Sequence, residues 1–465
     1  MNWIYIFFNR IILSVKVKNK MKEFELIRSI PIEDKYDIVV CGGGPAGIAA
    51  AVSAARMNKS VLLVEAMGCL GGMGTSGLVS AFGPMSNGKE MLTRGVMKEV
   101  VETMYSRGWM EYGVTPDAWN TSYMRWTQYN PEFLKIVYDE IVREANVEVR
   151  FFTRVIDVDY TNKTVNGVVI SNIDGYSYIK AKRFIDATGD AVLAALCKAD
   201  YYEAYRDTDK GQPSTMASMW GDIDWDKVLP HVKEHKELII KAIDEGRFTV
   251  ADRQFGINRV GKTTGFLNAG HLFGTNPVKN KSLTEALIWG RKQLLEYEDF
   301  LHRDIEGMEN AVLISTGALL GNRESRRIVG EEQLTKDDFF EKRHFNNQIG
   351  VYNRFLDIHP YDESIEEWER FQKYHSKYQL GVGNHMGIPY GVLIPKGWQN
   401  MWVAGRCISV DNQVLGVIRS QPCCSLLGQG AGCAAALSLD MDCNAKEVDP
   451  STLQTKLREQ GVYIP

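Results

Sequence analysis

Tyr36-Asp-Ile-Val-Val-Cys-Gly-Gly-Gly-Pro-Ala-Gly47 runs through a small-residue segment (Ala49, Ala50, Ala51, Ala54, Ala55) into Ser60-Val-Leu-Leu-Val-Glu65. The order is apolar strand, glycine turn, helix, apolar strand, acid: the first crossover of a dinucleotide-binding fold. Gly42 lets the chain turn sharply off the strand. Gly44 has no side chain, so a pyrophosphate can approach the backbone, and Gly47 lets the helix lie close to the sheet. Pro45 and Ala46 open that helix, whose unpaired N–H groups and positive dipole end face the phosphates. Glu65, 18 residues after Gly47, stands where a carboxylate takes the two hydroxyls of an adenosine ribose. Its charge would repel a 2′-phosphate, which argues against NADP.

The 465-residue chain is long enough for two or three domains. With 45% apolar and 24% charged residues its composition is that of a soluble globular protein. A net charge of −4 offers no footing for nucleic acid or an anionic membrane. The eight cysteines include no CxxC pair, which suits a reduced, cytoplasmic setting. Residues 3–15 are apolar but broken by Asn9 and Arg10, too short to span a bilayer. No cleavage site precedes the basic stretch 16–22, and Met21 is an alternative translation start, so residues 1–20 are expected to be dispensable.

After Glu65 and Ala66, Gly68-Cys-Leu-Gly-Gly-Met-Gly-Thr-Ser-Gly77 is too glycine-rich for a helix or strand and reads as a loop over which something flat or charged passes. Helical spacing follows over 89–107 and 131–145. Short strands at 147–152, 155–158, 165–171 and 176–179, with turns at Asn166-Gly167 and Asp174-Gly175, predict an antiparallel meander. Phe184-Ile-Asp-Ala-Thr-Gly-Asp190 is a further buried strand and turn, with a helix over 191–198. Residues 206–390 hold all eight histidines and no second glycine fingerprint. Near 400 the small-residue style returns, with a strand at 401–404, the turn Gly405-Arg406 and an alanine-rich helix over 420–437.

These pieces together resemble the FAD-dependent oxidoreductases with a glutathione-reductase-like nucleotide domain, above all the branch of fumarate reductase, L-aspartate oxidase and the flavin subunit of heterodisulfide reductases. The matching motifs are Val39–Gly47, Glu65, Leu70-Gly-Gly72, Ile185–Asp190, Val403-Ala-Gly-Arg406 and Gly416-Val-Ile-Arg-Ser-Gln-Pro422 running into Gly428–Ala436. The resemblance implies an α/β fold: a three-layer FAD-binding Rossmann-like domain with a small antiparallel meander, plus an inserted α+β substrate domain. The FAD-binding domain is expected in two stretches, 31–205 and 395–440, with the insert (206–394) between them. An N-terminal extension (1–30) precedes it and a C-terminal helix (441–465) follows. FAD would be held non-covalently. The resemblance assigns to it the Gly42–Gly47 turn, Glu65, Ala66, Gly71, Gly72 and Met73, the last bordering the isoalloxazine. It adds Val155 as a main-chain clamp on adenine, then Ala187, Thr188, Gly189, Asp190, Gly405, Arg406, Ile418 and Arg419.

Ser420 can cap the late helix and Pro422 suits its first turn; the dipole of that helix, with Arg419, would favour charge on the reduced flavin. Alternatively, Arg419 pairs with a surface carboxylate. Cys69 stands alone, which excludes dithiol chemistry, and Cys423-Cys424 without partners does not supply the ligands of an iron–sulfur cluster. No spacing suggests a metal. On the substrate side, Arg323, Arg326 and Arg327 either clamp a substrate carboxylate or phosphate or pair with Glu324, Glu331 and Glu332; Arg326 is the candidate anchor. His385 is the candidate acid or base, ahead of His359 and Tyr390. The expected activity is hydride transfer between a small organic substrate and flavin N5. A flavin monooxygenase or halogenase, and an electron-transfer subunit served by a redox partner protein, are the alternatives.

Overall fold

A computed structural model describes residues 6–8, 11–18 and 21–465 of the protein. Residues 1–5, 9–10 and 19–20 of the N-terminal extension lie outside the described residues. The strands Ile6–Phe8, Ile11–Lys18 and Met21–Ile27 pair antiparallel as a small sheet.

Five parallel strands form the central sheet, in the order Met401–Val403, Arg183–Asp186, Ile38–Cys41, Val61–Val64, Glu148–Arg150. The strand that opens the glycine motif is at its centre. Its side chains alternate between the two faces, as the period of two requires. Ile38 and Val40 pack in the core shared with the helix Pro45–Ala55, while Val39 and Cys41 pack in the core beneath the meander. The same division separates Leu63 from Leu62 and Trp402 from Met401. A sheet apolar on both faces is covered on both, which gives three layers.

One covering layer is the meander Arg154–Thr161, Thr164–Asn172 and Gly175–Lys180, joined at its edge by Ile32–Glu33 running parallel to the last strand. The other holds the helices Pro45–Ala55 and Gln421–Asp440. The latter is long and apolar enough to cross a membrane by composition, but 94% of its apolar window is buried inside the protein, where it serves as the core helix.

A second core runs from Met216 to Leu320. It lies between a four-stranded antiparallel sheet (Ile257–Arg259, Gly265–Leu267, Ser218–Gly221, Val312–Thr316) and the helix Asn280–Asp304. The returning segment then rejoins the first core: Ile349, Tyr352, Leu356, Met386 and Ile388 pack with the helix layer. Residues 353–360 thus lie where the two cores meet.

Candidate functional site

At the carboxyl ends of the parallel strands, glycines perform separate tasks. Gly42 has φ +101°, and a Cβ there would sit 2.6 Å from the Ala187 oxygen, so only glycine makes this turn. A Cβ on Gly47 would lie 1.8 Å from the Gly42 oxygen, so the helix can start against the turn only without one. Gly44 differs. A Cβ there meets nothing within 4 Å, and its φ of −72° suits any residue. The fold does not require this glycine; the open space beside the Pro45–Ala46 helix start does. That start has no side-chain cap, so its N–H groups are available to an anion.

The neighbouring motifs converge on the same space. Gly71 N–H donates to the Gly43 oxygen at 2.8 Å, and a Cβ on Gly72 would come within 3.2 Å of Gly44 Cα. Glu65 accepts from Gly43 N–H at 2.6 Å and from Met67 N–H at 2.7 Å. Burial pushes its carboxyl up despite those bonds. Ala66 follows, half-buried. Thr153 N–H donates to the Glu65 oxygen at 2.9 Å, which brings the strand carrying Val155 beside the acid. Across the turn, Ala187 N–H donates to the Cys41 oxygen at 2.8 Å, and Thr188 donates through both N–H and Oγ1 to Asp186 Oδ1 at 3.1 and 2.7 Å. Gly189 (φ +77°) lies against Arg406, which pairs with Asp190. Arg406 Nε is buried without a partner, and Gly405 faces Ala46, where a Cβ would be 3.4 Å from its Cβ. An open cradle, uncapped helix N–H groups and an orphaned guanidinium nitrogen together fit a diphosphate.

The long helix Gln421–Asp440 meets the first helix without intervening side chains. A Cβ on Gly428 would be 2.0 Å from the Ala46 oxygen, and one on Gly432 would be 2.2 Å from the Ala50 oxygen. Both contacts advance by four residues in the same sense, so the helices run parallel and both N-termini point to the cradle. Gly428 is seven residues into its helix and Ala46 one into its own, so the long helix begins about 9 Å farther out at ~1.5 Å per residue. The loop spans this offset. Gly72 touches Gly44, and a Cβ on Gly74 would be 2.2 Å from Gln421 Oε1, with Met73 between them. Ile418 is fully buried just before the helix. Ser420 takes the N-cap position, but the side-chain cap expected of it is not formed. Its Oγ bonds the Tyr352 hydroxyl at 2.6 Å instead, which leaves the first N–H groups of the helix uncapped by any side chain.

Arg419 turns from this helix start toward Asp357 of the returning segment. It donates to Gln212 Oε1 at 2.9 Å and to Asp357 Oδ2 at 2.9 Å, so its carboxylate partner is buried, not a surface one. Gly416 makes this possible, since a Cβ there would be 2.6 Å from the Asp357 oxygen. Arg354 also donates to Asp357 Oδ2, at 2.6 Å. Asp357 Oδ1 faces His359 Nε2 at 3.1 Å; His359 Nδ1 faces His271 Nε2 at 2.9 Å; His271 Nδ1 faces Asp252 Oδ1 at 2.9 Å. Asp252, His271, Arg354, Asp357 and His359 are all buried. Burial would raise the Asp357 carboxyl, but His359, Arg354 and Arg419 outweigh it and hold it well below the usual range. Burial and the charge of Arg323 push His359 well down, and burial lowers His271 against the pull of Asp252.

The three neighbouring arginines take different roles. Arg326 pairs with Glu203 at 3.2 Å and reaches the Asp190 oxygen at 3.3 Å. Arg327 lies 3.7 Å from Glu324 and donates to the Val410 oxygen at 2.6 Å. Neither meets Glu331 or Glu332. Arg323 is fixed through Nη1 alone, to the Pro213 oxygen at 2.8 Å and Thr215 Oγ1 at 2.7 Å. Its other nitrogens make no hydrogen bond among the described residues. Burial and the Arg419 charge push its guanidinium down to about 9, so an added anion would relieve it. His385 lies elsewhere, with its ring 4.9 Å from His344 and 6.4 Å from Tyr463, and its Nδ1 is unpartnered. Tyr390 is a core residue that accepts from Trp402 Nε1 at 2.8 Å and donates to the Ala445 oxygen at 2.7 Å. Asp252, His271, Arg354, Asp357 and Gln212 escaped the sequence reading. The one available signal was Arg354, Asp357 and His359 within six residues of an otherwise apolar stretch. Among the described residues, no three His, Cys, Asp or Glu side chains are grouped to hold a metal.

Several known proteins are similar to this chain. Over 208 residues the chain is 26% identical to a fumarate reductase (cytochrome) of Shewanella frigidimarina, a match covering 37% of this chain and 36% of that protein. The chain therefore spans about a third of the length of that relative. Over 45 residues it is 49% identical to a dihydrolipoyl dehydrogenase of Trypanosoma brucei brucei, covering 10% of this chain and 9% of the other. A solved geranylgeranyl bacteriochlorophyll reductase-like protein from Thermoplasma acidophilum aligns with TM-score 0.47 at 12% identity, over 92% of this chain and 83% of the other. Residues 37–457 match the family described as FAD dependent oxidoreductase, and the protein belongs to that family of flavoenzymes.

Proposed function

We propose that this flavoenzyme transfers hydride between flavin N5 and a small organic substrate that carries an anionic group. The observation behind this reading is Arg323, a guanidinium fixed on one side and free on the other, beside Arg419 at the start of the uncapped helix. Two adjacent cations cost free energy unless an anion joins them. A substrate carboxylate bridging Arg323 would also be oriented by the planar fork of that side chain. Bound FAD supplies the hydride acceptor or donor. The uncapped N–H groups of the Gln421–Asp440 helix stabilise negative charge that develops beside them. Proton transfer falls to the buried groups joined to Arg419 through Asp357, in place of His385.

The test is anaerobic mixing of the purified holoenzyme with a panel of small organic acids, amines and sugars. Bleaching of the flavin by acids alone, lost in Arg323→Gln, supports the reading. Turnover that needs oxygen and a separate reductase points to a monooxygenase or halogenase. Bleaching only by a partner protein points to an electron-transfer subunit.

A further inference from the structure

The line Asp252–His271–His359–Asp357 has more contacts than two neutral histidines can fill. Three close polar contacts, at 2.9, 2.9 and 3.1 Å, join the four side chains. Each needs one hydrogen. The end groups are carboxylates held below the usual range, Asp252 chiefly by His271 against burial and Asp357 by its cationic neighbours, so they only accept. Two neutral imidazoles bring two hydrogens. Whichever tautomers are chosen, one contact then sets two lone pairs against each other.

We propose that these four side chains form one buried proton-binding site, which takes up a single proton shared by the two imidazoles. The contacts seen are those of the loaded form. On release, the proton leaves from one imidazole nitrogen to solvent buffer or to a basic atom of the substrate. No electrons move, and the charge of the line goes from one negative to two. Asp252 is a positioning residue. Asp252 Oδ2 accepts the His271 N–H at 2.7 Å and Oδ1 accepts Gln254 N–H at 3.0 Å, which fixes the carboxylate.

The groups facing the line come from every element around it. Burial of both rings and the charge of Arg323 oppose the extra proton, while the two carboxylates favour it. Arg370, whose Nη2 donates to the His359 carbonyl oxygen at 2.9 Å, Tyr297, and His375, with its ring 4.1 Å from Phe355, also lie around it. Asp357 is hydrogen-bonded to Arg419 and Arg354, so loss of the proton adds a negative charge next to the cations proposed to hold the substrate anion. Anion affinity should then fall as pH rises.

Nitrogen-15 NMR of histidine-labelled holoprotein, titrated from about pH 5 to about pH 9, tests the proton count directly. His271→Gln and His359→Gln supply the assignments. The expected result is one joint transition of both rings that totals one proton, moved about one pH unit or more lower in Asp252→Asn. Two neutral rings throughout, or two separate one-proton transitions, would overturn the proposal. If Asp252→Asn fails to fold, the wild-type spectrum alone decides. The readout is the imidazole nitrogens themselves, so it stands whether or not any substrate reduces the flavin.

Discussion

Gly44 and Gly47, three residues apart, meet opposite demands. At Gly47 the chain itself fills the space where a side chain would go; at Gly44 the chain leaves it open. Gly47→Ala should therefore fail at folding, giving aggregated or rapidly proteolysed protein, because its Cβ collides with a main-chain oxygen that cannot move aside. Arg323→Gln should fold normally and retain FAD, but raise the KM for an anionic substrate about tenfold or more, from the loss of a charged hydrogen bond of about 1.5–3 kcal/mol; steady-state kinetics reads this. Sequence reasoning reached the glycines because their task is local. It did not assemble the buried line, whose members are 19 and 88 residues apart where they touch. His385 was chosen for its proximity to a motif along the chain, which says little about proximity in space; its ring neighbours are His344 and Tyr463.

Among elements, the pair of parallel helices does most to define the site. Their contact is made by main chain against glycine, so it sets both the offset of the two N-termini and the depth of the crevice. Gly432→Ala illustrates the tolerance. Helix propensity gains about 1 kcal/mol, yet the new methyl would sit 2.2 Å from the Ala50 oxygen. Overpacking of this kind costs about 1–3 kcal/mol, so the variant should melt lower than wild type in a thermal scan of the holoprotein. The Gly428, Gly432 spacing was readable in the sequence as an alanine-rich helix. Its partner was not, since small residues on a buried helix face do not say which backbone they meet. The capping role of Ser420 was misread for a related reason. Residue type made it a good cap, and the tertiary partner Tyr352, 68 positions away, took the hydroxyl.

Over the whole molecule, the returning segment reaches the second core through His359, which faces His271, beside Leu272 of that core, at 2.9 Å. Asp357 joins Arg354 and Arg419 where the cores meet. Asp357→Asn removes the counter-charge of a buried pair, a loss of about 3–5 kcal/mol, which urea unfolding at neutral pH measures. The contribution of Asp357 is complete above about pH 5, where the unfolded carboxyl is ionised, and disappears as pH falls through its lower folded value. The part of the difference that comes from ionisation of Asp357 itself should therefore shrink in strong acid.

The proposed cradle requires that the diphosphate of FAD fill the space left by Gly44. The FAD content of purified Gly44→Val, set beside wild type and checked by circular dichroism, tests it most directly. We expect stoichiometric FAD in the wild type, and in the variant an unchanged fold without flavin. Stoichiometric FAD retained by a folded Gly44→Val protein would contradict the account.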